Sequence, residues 1–279
     1  MPTASSPDFG LTAADYQKHR AGFPPELLDR LVDYGVGLPG QDVIDVGTGT
    51  GSLGRLFAAR VGSVRGVDPA EQLLERAREL DAQADVRIEY LVGSAEATGL
   101  PATSADVVTA GQCWHWFDAP AACAEVIRLL RPGGLLVIAH FDWLPLPGNV
   151  VAATEAIISE ANPSWQLGGG TGLYPRWLTD LGTAGFTELR TFSFDLQVPY
   201  SHQDWVGRIR ASAGVGGSLP PDQVTEVSER LAGVLRAEFP ADPLAIPHRV
   251  WAVIGRRPET AGESPASGDQ APSDQEGTP

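Results

Sequence analysis

A short β-branched run, Asp42–Val46 (DVIDV), breaks into Gly47-Thr48-Gly49-Thr50-Gly51, and a helical stretch opening near Ser52 follows. This strand–glycine turn–helix unit constrains the fold more than any other feature. An apolar run bounded by turn residues fits a strand buried in a parallel sheet. The glycines allow unusual backbone angles and let a ligand approach the main chain. The helix opening turns backbone N–H groups toward whatever occupies the turn. Asp68 stands 17 residues after Gly51, at the end of the next strand-like run. A carboxylate there can accept both hydroxyls of a ribose.

The same alternation continues. Strands are expected at 63–67, 86–91, 105–110 and 135–139, and helices at 53–60, 71–80 and 121–130. Arg131-Pro132-Gly133-Gly134 is a turn into the fifth strand. Helices are expected at 149–161, 175–184 and 221–238, and strands at 188–198 and 249–255. Strand and helix at this spacing predict an α/β fold: a Rossmann-like, mainly parallel seven-stranded sheet with helices on both faces. The final two strands complete it. Residues 142–173 and 200–247 are candidate lid elements, so residues 1–257 form the domain with a helical lid. Gly168 to Gly172 resembles a lid hinge more than a phosphate loop, because no strand precedes it and no Lys-Ser/Thr follows. Residues 258–279 contain no large apolar side chain and only acidic charges, so they are expected to be a disordered acidic tail.

Composition excludes several classes. The 279 residues are 43% hydrophobic, with a formal net charge of −15. No window approaches the roughly 18 apolar residues of a membrane span. The first ten residues lack a basic start and apolar stretch, so the reading is cytoplasmic. Nucleic acid is not expected as a partner, because phosphate binding requires a basic face. Cys113 and Cys123 are too few for a disulfide framework, and the five histidines form no HxH or HxxxH pair, so no metal site is expected.

The glycine loop by itself leaves two cofactor classes open. Gly49-x-Gly51-x-x-Gly54 also satisfies the dinucleotide pattern, with Asp68 correctly placed for an NAD-type oxidoreductase. Asp45, just before the first glycine, can organise the loop and approach a cationic ligand, and is poorly suited to a pyrophosphate.

Over residues 12–140 the order of motifs resembles the class I S-adenosylmethionine-dependent methyltransferases, specifically the small-molecule type related to ubiquinone-biosynthesis and trans-aconitate enzymes. Asp45-Val46-Gly47-Thr48-Gly49-Thr50-Gly51 matches the D-x-G-x-G-x-G loop, and Asp68-Pro69-Ala70 the ribose-binding acid and its continuation. Asp15 to Pro24 is similar to the entry segment of this group. The resemblance implies that Arg20 pairs with the cofactor carboxylate and that Tyr16 closes the pocket. Gly93-Ser94-Ala95-Glu96 resembles the adenine-binding stretch, with Ser94 in place of an Asp and Glu96 as an alternative partner. Gly111-Gln112-Cys113-Trp114-His115-Trp116-Phe117-Asp118 resembles the A-Q-x-x-H-W-F-D sequence after the fourth strand. By this resemblance Tyr16, Arg20, Asp45, Gly47, Thr48, Gly49, Gly51, Asp68, Pro69, Ser94, Ala95, Glu96, Gln112 and Cys113 bind S-adenosyl-L-methionine.

The implied reaction transfers a methyl group to a small organic acceptor, with oxygen slightly preferred. His115 follows the fourth strand on the ligand-binding edge, and an imidazole suits proton removal, so it is the candidate general base. A packing role beneath the cofactor is the competing reading. Trp114, Trp116, His140 and Trp143 are the candidate substrate-binding residues, the tryptophans as faces for a sulfonium or a flat acceptor. Buried core tryptophans explain the same composition. A cofactor-binding member of the fold without catalysis stays open as a third reading.

Overall fold

A computed structural model describes residues 22–259. The elements, in chain order, are α1 (Pro25–Val32), β1 (Asp42–Val46), α2 (Ser52–Ala58), β2 (Ser63–Asp68), α3 (Glu71–Ala84), β3 (Glu89–Val92) and β4 (Ala105–Gly111). A 3₁₀ turn (Trp114–Trp116) then leads to α4 (Ala119–Leu129), β5 (Leu130–Trp143), α5 (Val150–Ala161), α6 (Pro175–Thr183), β6 (Thr187–Tyr200), α7 (His202–Arg210), α8 (Pro221–Glu238) and β7 (Leu244–Arg256).

The strands form one seven-stranded sheet in the order β3-β2-β1-β4-β5-β7-β6, with β7 antiparallel to both neighbours and the first five strands parallel. The expected α/β sheet is therefore present, including the two C-terminal strands. Both faces are covered, and side chains alternate between them. Ile44, Val46, Val108, Leu136 and Ile138 join one core with α4 and α6, while Val43, Val107, Val137 and Ala139 join the other with α1 and α2. Each buried Val, Leu or Ile among these contributes about 1.5–3 kcal/mol by leaving water. That double burial is why the strands read as continuous apolar runs.

A third cluster unites α5, α7 and α8 with the ends of β6 and β7 through Val151, Ile158, Trp205, Leu231 and Ile246. This helical layer stands beside the carboxyl ends of the parallel strands. Two boundaries depart from the sequence expectation. β5 starts at Leu130, paired with Ala105, so Arg131 to Gly134 is a distorted strand start with Gly133 left-handed (φ 77°). β3 starts only at Glu89, where pairing with β2 begins at Arg65. α7 was expected only as unspecified lid. Its residues are mostly polar outside Trp205, Val206 and Ile209, and Ser201 caps it by accepting from the Asp204 N–H through Oγ at 3.0 Å. Of the acidic tail, residues 260–279 lie outside the described residues, as do Tyr16 and Arg20.

Candidate active site

The carboxyl ends of β1, β2, β4 and β5 converge on a cavity of about 1260 Å³, roofed by residues of α5, α7 and the segment before α6. On its sheet side lies the glycine loop. Gly47 (φ 63°) and Gly49 (φ 54°) are left-handed. A Cβ on Gly47 would sit 2.8 Å from the Cys113 Sγ and 2.8 Å from the Phe117 ring, whereas at Gly49 it would project into open space. The loop is thus packed tightly from behind and bare toward the cavity, an arrangement only glycine provides at little strain.

Asp68 fixes the loop from the next strand. Its Oδ2 accepts from the Gly49 N–H at 2.9 Å, and its Oδ1 from the Ala70 N–H at 2.9 Å. Each carboxylate oxygen keeps acceptor capacity beyond its single backbone donor. Burial pushes the carboxyl upward, with the two N–H groups opposing the shift. Beneath the loop, Asp45 is 1% exposed and accepts from Thr48 Oγ1 and Thr109 Oγ1, both at 2.6 Å, and from the Gly54 N–H. With no cation beside it among the described residues, burial raises its pKa to about 6. Asp45 is a strut that joins the loop to β4. It does not line the cavity.

On the far side, β5 carries His140 and Asp142 on one face. His140 is 4% exposed. Its Nδ1 meets Asp142 Oδ2 at 3.1 Å, and the Tyr174 hydroxyl donates to the same carboxylate oxygen. Tyr174 stacks on Trp177 at 4.1 Å between ring centroids, and His140 packs against both. The His140 Nε2 is buried with no hydrogen-bond partner among the described residues. Deeper in the cap, Trp143 Nε1 donates to Glu155 Oε1 at 2.7 Å, and Glu155 Oε2 accepts from the Gly169 N–H at 2.7 Å. The glycine-rich segment 168–172 is therefore tied to α5 by a carboxylate, which already occupies the Gly169 N–H. His248 donates from Nδ1 to the Ile246 carbonyl at 3.0 Å, and burial lowers its pKa to about 4, so it is neutral at pH 7.

Comparison with known proteins is consistent with this geometry. A methyltransferase-domain family model matches residues 44–138. An uncharacterized methyltransferase of Mycobacterium tuberculosis is 37% identical over 128 residues, 46% of this chain, and the match spans 49% of that relative's length. Nocamycin O-methyltransferase of Saccharothrix syringae is 30% identical over 286 aligned positions, covering 92% of this chain and 99% of that protein. The chain belongs to the class I S-adenosylmethionine-dependent methyltransferases. Phosphoethanolamine N-methyltransferase 2 of Haemonchus contortus, solved with S-adenosylhomocysteine, shares the fold at a TM-score of 0.54 and 18% identity, over 90% of this chain and 58% of that one.

Within this methyltransferase fold the expected site residues divide. Gly47, Thr48, Gly49, Asp68, Pro69, Gln112, Cys113, His115, Trp116, His140 and Trp143 line the cavity. Gln112, itself left-handed (φ 58°), donates from Nε2 to the Phe141 carbonyl at 2.7 Å, and Cys113 Sγ donates to the Val46 carbonyl at 3.3 Å, so both brace the floor. Gly51 does not line the cavity: it caps α2, and a Cβ there would clash with the Tyr90 hydroxyl. Ser94, Ala95 and Glu96 do not line it either. A narrow turn bridges Ser94 to Ala97, drives Ala95 into the core, and leaves Glu96 Oε1 accepting from the Asp118 N–H at 3.0 Å, at the start of α4. Trp114 is also no part of the wall. The 3₁₀ turn points it inward, 2% exposed, with Nε1 donating to Asp180 Oδ2 at 3.3 Å, and presents its neighbour Trp116 outward at 46% exposure.

Asp142, Glu155, Tyr174, Arg208 and His248 line the cavity and were not anticipated. Asp142 had a readable signal, as it sits in Phe141-Asp142-Trp143 at the carboxyl end of a strand. Tyr174 and Arg208 reach the cavity only through the path of the chain in the cap.

Proposed function

We propose that the chain binds S-adenosylmethionine in this cavity and methylates a small organic acceptor, with oxygen as the preferred atom. The observation that carries the reading is the pairing of a bare, left-handed Gly49 with the Asp68 carboxylate, which it helps to hold. A ribose diol fits that carboxylate, whose oxygens have acceptor capacity to spare. A pyrophosphate does not fit beside the Asp68 carboxylate, and Arg55, which lines that end, is already paired to Asp81 at 2.8 Å. This disfavours the NAD-type alternative.

The donor set supports the placement. Asp68, Pro69 and Ala70 would hold the ribose end, Leu73 and Leu80 supply apolar surface for the base, and Gln112 and Cys113 support the floor beneath the methionyl portion. Bound there, the cofactor supplies a methyl group already activated on a sulfonium. The protein then has to position the acceptor, exclude water and receive a proton where the acceptor carries one. The exposed Trp116 face and the rings of Phe141, Trp143, Trp165 and Tyr174 give the acceptor side a flat aromatic lining suited to a small apolar molecule. Oxygen as the methylated atom is supported by the likeness to an O-methyltransferase along almost its whole length.

The test is transfer of label from methyl-tritiated S-adenosylmethionine to a panel of phenols, carboxylic acids and amines, each with a no-acceptor control. Labelled product from an oxygen acceptor is expected. Transfer confined to amines would remove the oxygen preference, and no transfer to any class would favour a non-catalytic cofactor binder.

A further inference from the structure

Two groups on the acceptor side have chemistry that their protein neighbours do not satisfy. His140 has one nitrogen committed to Asp142 and the other, Nε2, buried with no hydrogen-bond partner among the described residues, although the residue lines the cavity. A buried nitrogen without a hydrogen bond is costly and calls for an explanation. Arg208 also lines the cavity. Its guanidinium lies 4.7 Å over the Trp143 ring and meets the Tyr200 hydroxyl, while Asp142 acts on it only through space, with no ion pair to Arg208 among the described residues. One group is arranged to take a proton, the other to face an anion.

We propose that His140 is the general base for the acceptor, removing the proton of a phenolic or enolic hydroxyl, with Asp142 and Tyr174 as positioning residues. This rests on the reading of the cavity as a methyl-transfer site. Because Nδ1 faces a carboxylate, it carries the hydrogen, which leaves a lone pair on Nε2. The acceptor O–H proton moves to Nε2, the hydroxyl becomes an oxyanion, and the imidazole becomes an imidazolium opposed by the Asp142 carboxylate. Tyr174, donating to that carboxylate and stacked on Trp177, fixes its direction. Arg208 supplies positive charge for the oxyanion. His115, whose ring centroid is 5.4 Å from that of His140, is the exposed member of the pair. Among the described residues, the other charged or titratable groups around this wall are Glu155 on α5 and the neutral His248 on β7.

The test uses 4-nitrophenol as probe, because its ionised form is coloured. It is added to the full chain, with and without S-adenosylhomocysteine, at a pH below the probe's own pKa. The wild type is expected to show a phenolate band roughly tenfold stronger than the free probe, equivalent to lowering the probe's pKa by about one unit. His140→Gln should abolish the excess, and the band should fall further in that variant than in His115→Gln. Asp142→Asn, which keeps the ring but removes its carboxylate, should move the midpoint of the band to higher pH, a change that a purely structural role does not produce. No excess band in the wild type, or a greater loss in His115→Gln than in His140→Gln, would overturn the assignment. Should His140→Gln not fold, the Asp142→Asn midpoint decides, and an unmoved midpoint counts against the proposal. Calorimetry with S-adenosylhomocysteine keeps the two readings apart: cofactor binding without the band removes the base alone, and the band without cofactor binding removes the methyl-donor reading alone.

Discussion

Asp45 offers a quantitative check on the loop architecture. Its carboxylate is buried under the glycine loop with two threonine hydroxyls and one N–H but no cation, and its pKa is raised from 3.8 to about 6. Folding therefore favours the protonated form. Its contribution to stability is fully present below about pH 4 and is lost as pH rises through about 6. At 1.36 kcal/mol per pKa unit, the complete loss is about 3 kcal/mol. Asp45→Asn keeps the shape and cannot ionise. The amide oxygen can accept from Gly54 and Thr48, and the amide nitrogen can donate to the Thr109 hydroxyl, which rotates to accept. All other titrating groups are shared, so they cancel in the comparison. Urea unfolding of both proteins from pH 5 to 7.5 should show the variant gaining about 1–2 kcal/mol on the wild type across that range. Parallel stability curves would refute the claim that this carboxylate bears an uncompensated burial cost.

Two further perturbations follow from the same geometry. Gly47→Ala should destabilise the protein by about 2–5 kcal/mol, from the left-handed backbone and from overlap with Cys113 and Phe117, read as a lowered Tm together with lost cofactor affinity. Glu125, 8% exposed, accepts from Arg128, from the Thr98 N–H and from the Thr98 hydroxyl, and Arg128 is the main cause holding its pKa down at about 2. Glu125→Ala should cost about 2–3 kcal/mol at pH 7 by denaturant unfolding. In the wild type this contribution is present above about pH 4.5 and is lost as pH falls through about 2.

What was readable in the sequence was whatever depends on local pattern. DVIDV followed by three spaced glycines places a strand, a turn and a helix without outside information, and the alternation of apolar runs carries the sheet through β7. Asp68 was readable because one crossover in a parallel sheet returns the next strand's end to the same edge. The remaining site residues depend on distances that no spacing encodes. Trp114 and Trp116 are two residues apart, yet a single 3₁₀ turn sends one to the core and the other outward. Ser94 to Glu96 keep the form of a binding motif, but the turn after β3 packs Ala95 into the core and brings Glu96 to the start of α4. The Asp142–Tyr174 contact joins residues 32 positions apart through the packing of α6 on the sheet, so the network around His140 emerges only in three dimensions. His115 is marked by its motif, whereas the buried imidazole of His140 sits one strand away.

The most direct measurement is isothermal calorimetry with S-adenosylhomocysteine on the wild type and on Asp68→Ala, with NADH as the competing ligand. Saturable binding to the wild type is expected, with no heat from NADH and a loss of about 1.5–3 kcal/mol in the variant, roughly ten- to a hundredfold in Kd. A flat trace with the wild type, equal affinity in Asp68→Ala, or saturable binding of NADH would contradict a nucleoside held between the Gly49 turn and the Asp68 carboxylate.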